Sequence, residues 1–257
     1  MMEKSGIAII TGASAGLGSE FVRKLIKLHP EIEEYWLIAR RYDKMAEIAG
    51  EFEGKTFKIL TLDLSRESAF EEYRAVLEEN KPDVKILINN AGYGRLGYFD
   101  ELDAAGQWGM VDVNVRALTA MSRLTLDYMK EGSVILNVCS IASFAPTPRM
   151  TVYCSTKAYV LSFSKGLREE LKRRKINVLA SCPGPMDTEF FAAANIKKGT
   201  SPVFDSLPRV KPDVMAEKSI IKAFRGRAVY TNKLMFKLYR VLGKLLPHNL
   251  LMKFLVM

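Results

Sequence analysis

A chain of 257 residues, 48% hydrophobic and 26% charged, is large enough to bury a sizeable core in one α/β domain, and its ordinary composition excludes a disordered or repetitive protein. Cys139, Cys154 and Cys182 are too far apart for a C-x-x-C redox or zinc motif and odd in number, which suits reduced thiols in a cytoplasmic protein. His29 and His248 have no partners at ligand spacing, so no metal site is expected. The net charge of +9 is uneven: from Lys197 onward thirteen Lys and Arg stand against three Asp and Glu, while the remainder has 25 against 26.

No linker, signal-peptide pattern or apolar stretch of about 20 residues interrupts the chain, and no aromatic or recognition-helix pattern suggests a nucleic-acid partner. Short apolar runs alternate with helix-like segments: Ile7 to Ile10, Tyr35 to Ile38, Phe57 to Leu60, Ile86 to Ile88, Val134 to Val138 and Val178 to Ala180. Nearly all-apolar strands between helices predict a parallel sheet covered on both faces. The implied fold is a Rossmann-like doubly wound α/β domain of about seven strands, with its ligand crevice beyond the carboxyl ends of the strands.

The first run leads into Thr11-Gly12-Ala13-Ser14-Ala15-Gly16-Leu17-Gly18 at the start of an amphipathic helix bearing Phe21, Val22, Leu25 and Ile26. Three glycines here let the backbone approach a pyrophosphate at the positive helix terminus. The spacing G-x-x-x-G-x-G differs from the G-x-G-x-x-G dinucleotide fingerprint. After the second run, where an NAD-binding fold places a carboxylate on the ribose, stand Arg40 and Arg41. Two guanidinium groups suit a 2′-phosphate, so the expected cofactor is NADP, as NADPH.

After the fifth run comes Ser140, followed at thirteen residues by Tyr153 and four later by Lys157. Tyr and Lys four apart share a helix face. The ammonium is expected to lower the phenol's pKa and make Tyr153 an acid or base, with Ser140 holding the substrate oxygen beside it.

Taken together these segments resemble the short-chain dehydrogenases/reductases of the common single-domain type, over residues 5 to 230. Thr11 to Gly18 is similar to that family's cofactor loop, with Gly12, Ser14, Ala15, Gly16, Leu17 and Gly18 at the cofactor. Asp63-Leu64 resembles its adenine contact and Asn89-Asn90-Ala91-Gly92 its N-N-A-G segment. Cys182-Pro183-Gly184-Pro185-Met186-Asp187-Thr188 resembles its P-G segment, which implies Pro183, Gly184, Met186 and Thr188 near the nicotinamide. The resemblance completes a catalytic set of Asn114, Ser140, Tyr153 and Lys157: Asn114 would hold a water relay, and Lys157 would also bind the nicotinamide ribose. The family commonly forms homodimers or homotetramers. Ala15 stands where some NADP-using members have a basic side chain, which leaves the phosphate to Arg40 and Arg41, aided by Ser14. Cysteine at 139 replaces a common serine.

The expected substrate is an apolar carbonyl compound or alcohol, lined by Ser140, Tyr93, Phe144, Met150, Phe190 and Phe191, with Arg95 and Arg149 as places for an acidic group. Residues 1–231 form the expected catalytic domain and 232–257 a helical extension. In the extension Lys233, Lys237, Arg240 and Lys244 recur at helical spacing beside Leu234, Phe236, Leu238, Val241, Leu242 and Leu245. Pro247 ends that helix, and Leu250, Leu251, Phe254 and Leu255 begin another apolar stretch. Packing on the same domain or on a second subunit, or lidding the pocket, is the leading expectation, and a membrane surface the alternative. A similar basic, hydrophobic tail occurs in a bacterial subgroup of undefined substrate. The expected activity is NADP(H)-dependent hydride transfer, against two rivals: a catalytically idle NADP(H)-binding regulator, and a peripheral membrane reductase of a lipophilic substrate.

Overall fold

The computed structural model describes residues 6–194 and 205–253; Phe254 and Leu255 of the tail lie outside them. The strands are β1 (Ile7–Thr11), β2 (Glu34–Ala39), β3 (Thr56–Thr61), β4 (Val84–Asn89), β5 (Met129–Val138), β6 (Asn177–Ser181) and β7 (Val229–Tyr230). They form one sheet in the order β3-β2-β1-β4-β5-β6-β7, parallel throughout. The strand order reverses between β1 and β4, which places the crevice of a doubly wound sheet beyond their carboxyl ends.

Alternation along each strand divides the core. Ala8, Ile10, Leu37, Ile86, Ile88 and Leu136 face helices α1 (Gly16–Leu28) and α8 (Pro212–Phe224), meeting Phe21, Leu25, Met215 and Ile220. Ile7, Ile9, Trp36, Ile38, Leu87 and Ile135 face the opposite side, against α3 (Ser68–Asn80), α5 (Leu118–Leu126) and α6 (Thr151–Leu171) through Tyr73, Leu77, Met121 and Leu171. Burying each such side chain is worth about 1.5–3 kcal/mol. Both faces are covered, and the strands therefore read as continuous apolar runs. The remaining helices are α2 (Tyr42–Gly50), α4 (Ala104–Val111), α7 (Glu189–Ala193), α9 (Leu234–Leu245) and α10 (His248–Met252).

Two strands differ from expectation. β5 begins at Met129, five residues before Val134, because a register shift lets Met129 pair with Val84 while Val134 pairs with Ile86. β7 has only two residues and no apolar run to announce it, yet it pairs with Ala180 and Ser181. Inside the sheet, Asn89 donates to Ser122 and Asn137 at 2.9 Å, and Asn137 donates to Ser164 at 3.0 Å. This buried chain locks α5 and α6 to the strand ends, each bond contributing about 1 kcal/mol net. No described helix is long and apolar enough to cross a membrane.

Candidate active site

The β1 and β4 loops interlock before they shape a cavity. Thr11 Oγ1 accepts from the N–H groups of Asn90 and Ala91 at 3.0 Å, and Asn90 Nδ2 donates to the carbonyls of Thr11 and Gly12 at 3.1 Å. Gly12 and Gly16 have φ of 64° and 57°, the left-handed region open to glycine. A Cβ on Gly12 would stand 2.8 Å from Asn90 Nδ2, and one on Gly18 only 2.0 Å from the Gly12 carbonyl oxygen. Ala15, at the N-cap of α1, offers no side-chain cap. Gly16 and Leu17, which open that helix, line the crevice, and an uncapped helix N-terminus there suits an anion.

A cavity of about 490 Å³ runs from this helix terminus to the β5 and β6 loops. Its wall includes Gly12, Ser14, Ala15, Gly16, Leu17, Arg40, Arg41, Asn90, Ala91 and Gly92 at one end, and Pro183, Gly184, Met186 and Thr188 beyond them. A bare helix terminus, two glycines that must lack side chains and two basic residues fit a phosphorylated dinucleotide. Gly18, Asp63 and Leu64 do not line the wall. Gly18 makes room for the Gly12 carbonyl, and Leu64 belongs to the core. Burial raises the Asp63 carboxyl, but hydrogen bonds from Ser65 and the charges of Arg40 and Arg66 outweigh it and hold the pKa below its ordinary value. Arg40 is exposed at the rim, whereas Arg41 donates to Ser14 at 3.2 Å and pairs with Glu189 at 2.8 Å.

Ser140, Tyr153 and Lys157 meet on the same wall. Ser140 leaves β5 and caps a single 3₁₀ turn (Ile141–Ser143), its Oγ accepting from Ala142 N–H at 3.1 Å. Ile141 N–H donates to the Pro183 carbonyl at 3.0 Å, fastening the serine loop to the P-G segment. Tyr153, 7% exposed, lies in the first turn of α6. Lys157 lies one turn on, its Nζ 5.8 Å from the Tyr153 ring centroid and donating to the Val138 carbonyl at 2.9 Å.

The electrostatics correct one expectation. Burial pushes the Tyr153 phenol well above its ordinary pKa, and a hydrogen bond with Ser140 only partly opposes this; Lys157 is not among the groups that move it. The buried lysine is itself brought down, by desolvation above all. In this geometry burial disfavours the charged form of each group relative to water. Beside them, burial raises the Cys139 thiol, but hydrogen bonds from Cys182 and Ser143 and the Lys157 charge outweigh it, so its pKa falls while that of Cys182 rises.

Asn114 stands off the cavity wall, 1% exposed, on a π-helical turn (Asp112–Ala117), an irregularity frequent near functional sites. Its Oδ1 accepts from Tyr93 N–H at 3.0 Å and its Nδ2 donates to the Tyr93 carbonyl at 2.9 Å and to Thr156 Oγ1 at 3.0 Å. It thus ties the β4 loop to α6. The space a Gly92 Cβ would fill lies 2.8 Å from Asn114 Oδ1 and 3.5 Å from Lys157 Nζ.

Of the expected substrate lining, Tyr93, Met150, Phe190 and Phe191 are on the wall. The Phe190 ring stands 5.7 Å from that of Tyr153. Phe144 is not on the wall: it is buried beneath the tail, edge-on to Tyr239 at 5.8 Å. Arg95 and Arg149 are not on this wall; they border a small cleft with Phe99 and Gln107, which meets the cavity wall at Met150. Sequence reasoning did not assign Met235, Phe236 and Tyr239 of α9, which roof the cavity, nor Glu189, which holds Arg41. The apolar periodicity of the tail was the available signal, but it does not say against what the helix packs. Gly94 leaves room for the Tyr153 and Phe190 rings, 3.0 and 3.1 Å from where its Cβ would lie.

Known proteins are similar to this chain in sequence and in fold. The sequence matches the family model described as short chain dehydrogenase over residues 6–199. It is 33% identical over 208 residues to the very-long-chain 3-oxoacyl-CoA reductase of Anas platyrhynchos, covering 77% of this chain and 63% of that protein, so it spans less than two thirds of that relative. The structure is similar to that of a short-chain dehydrogenase from Sphingobium yanoikuyae in complex with NADPH, with TM-score 0.78 and 26% identity over 94% of this chain and 96% of the other. It is also similar to a 3-ketoacyl-(acyl-carrier-protein) reductase from Brucella melitensis complexed with NADH, with TM-score 0.74 and 26% identity over 88% and 96%.

Proposed function

The chain belongs to the short chain dehydrogenase family, and from that premise we propose that it is an NADP(H)-dependent oxidoreductase that reduces a ketone or aldehyde, or oxidises the matching secondary alcohol, with Tyr153 as acid or base. The observation that carries this reading is that Ser140, Tyr153 and, one turn on, Lys157 share the wall of a cavity whose other end is the glycine loop. A nicotinamide bound there would supply or accept the hydride. Everything else is work for the protein's own groups.

Ser140 Oγ accepts from Ala142 N–H, and its hydroxyl proton is oriented by what it meets, Tyr153 or a substrate oxygen. The Tyr153 phenol, kept protonated by burial, donates to the carbonyl oxygen as negative charge develops there, and the Lys157 ammonium then stabilises the phenolate. The proton would be returned by way of Lys157, whose Nζ and Asn114 Oδ1 both approach Gly92. The NADP preference rests on Arg40 at the rim and on Arg41, which would exchange Glu189 for a 2′-phosphate. The apolar wall of Met150, Phe190, Phe191 and the α9 residues suits a lipophilic substrate.

Tyr153→Phe tests the assignment: NADPH-dependent turnover on a panel of carbonyl compounds should fall by about 10²–10⁴-fold while NADPH still quenches or enhances fluorescence as in the wild type. The pH profile is a second readout. A raised phenol pKa keeps the acid form through neutral pH, so reduction should be level there, whereas oxidation needs the phenolate and should rise with pH. Retained turnover in the variant, or an oxidation rate that does not rise with pH, overturns the role of Tyr153. Wild-type protein that binds NADPH and turns over nothing in the panel would favour a regulator instead.

A further inference from the structure

We propose that α9 seats the protein on an anionic lipid surface, its outward leucine face entering the interfacial layer and its cations meeting the headgroups. The inference stands whether or not the cavity works on a carbonyl. At 3.6 residues per turn the twelve residues Leu234–Leu245 divide into three stripes. Phe236 and Gly243 face inward: Phe236 is 1% exposed against Gly184, and a Cβ on Gly243 would meet the Phe144 carbonyl oxygen at 2.4 Å. Those contacts fix the rotation of the helix.

With the inner stripe fixed, Leu234, Leu238, Val241 and Leu245 point outward, at 80%, 58%, 50% and 74% exposure. Four large apolar side chains left in water along one stripe are unusual for a soluble surface. Lys237, Arg240 and Lys244, with Lys233 at the N-cap, occupy the third stripe, beside the leucines, where long basic side chains reach headgroups as the apolar face enters the layer. Lys165 of α6 adjoins them: burial, then repulsion from Lys244 and Arg240, lowers its pKa.

Charge selects the occupant. Residues 218–257 contain nine Lys and Arg and no Asp or Glu. A second copy of this helix would bring only further cations to the contact, whereas an anionic leaflet supplies the missing countercharge. Because Met235, Phe236 and Tyr239 on the other side of the same helix roof the cavity, the helix that seats on the lipid also covers the cavity.

Flotation of the full-length protein with phosphatidylcholine vesicles, with and without phosphatidylserine, tests this. Binding is expected only with phosphatidylserine and should weaken in high salt. Leu234→Asp with Leu238→Asp, or Lys237→Glu with Lys244→Glu, should reduce it roughly tenfold or more, with thermal melts confirming the fold. Hydrogen exchange of the wild type needs no variant: residues 234–245 should gain protection on phosphatidylserine vesicles. Absence of flotation, equal binding to both vesicles, unchanged binding by either folded variant, or no gain in protection overturns the proposal. So does a solution dimer that dissociates in the Leu234→Asp, Leu238→Asp variant, since the face would then belong to a second copy.

Discussion

At the β1 end of the cavity, backbone and short polar groups meet with no spare volume: Asn90 and Thr11 stitch two loops together, and Gly18 leaves 2.0 Å between an added Cβ and the Gly12 carbonyl. At the α9 end the wall is made of side chains, with Met235, Phe236 and Tyr239 laid over the β6 loop by an appended helix. The first end is set by hydrogen bonds and forbidden volume, which tolerate almost no variation. The second is held by apolar contact, which accepts other shapes at modest cost. Cofactor recognition suits the first kind of construction, since the ligand does not vary. Substrate recognition suits the second.

Gly18→Ala should break the first end most severely. The methyl group cannot fit without moving the β1 loop, so stability should fall by about 1–3 kcal/mol and NADPH affinity by well over an order of magnitude. Thermal melts and fluorescence titration would register both, and an unperturbed affinity would show that the loop yields more easily than its contacts suggest. Arg40→Ala should act on recognition alone. Losing a charge-assisted bond of about 1.5–3 kcal/mol should weaken NADPH by roughly tenfold or more and leave NADH unchanged, so equal losses for the two cofactors would remove Arg40 from the phosphate site. Phe236→Ala, at the other end, is expected to be the mildest for the cofactor. The ring's loss should loosen α9, raise KM for apolar substrates by a few-fold, on the order of 1 kcal/mol as expected for a partly adaptable site, and spare NADPH affinity. A parallel loss of NADPH binding would mean that the two ends are one mechanical unit.

Legibility in the sequence follows the same division. The parallel sheet, the glycine loop and the Ser140, Tyr153 and Lys157 set were readable because local rules demand them: buried strands must be apolar, and helical neighbours recur at four. That Arg40 and Arg41 stand at the cavity was readable too, since they follow β2 directly and the crevice lies beyond the strand ends. Phe144 was misplaced because an aromatic residue near a loop looks alike whether it lines a cavity or props a helix. Only the approach of Tyr239 and Gly243 decided that it props one. The extra length of β5 and the two-residue β7 were hidden because pairing partners distant in sequence create them.

The chain's amino-acid order by itself determined the fold class, the position of the dinucleotide loop and the identity of the hydroxyl, phenol and amine that meet beside it. These depend on period, spacing and backbone freedom, all of which are local. The tertiary structure alone decided that Tyr153 is driven up by burial rather than down by Lys157, that Asn114 braces the β4 loop, and that α9 turns one face to the cavity and its leucines outward. Desolvation and helix rotation are set by what the rest of the chain places around a residue, and no window of sequence contains that.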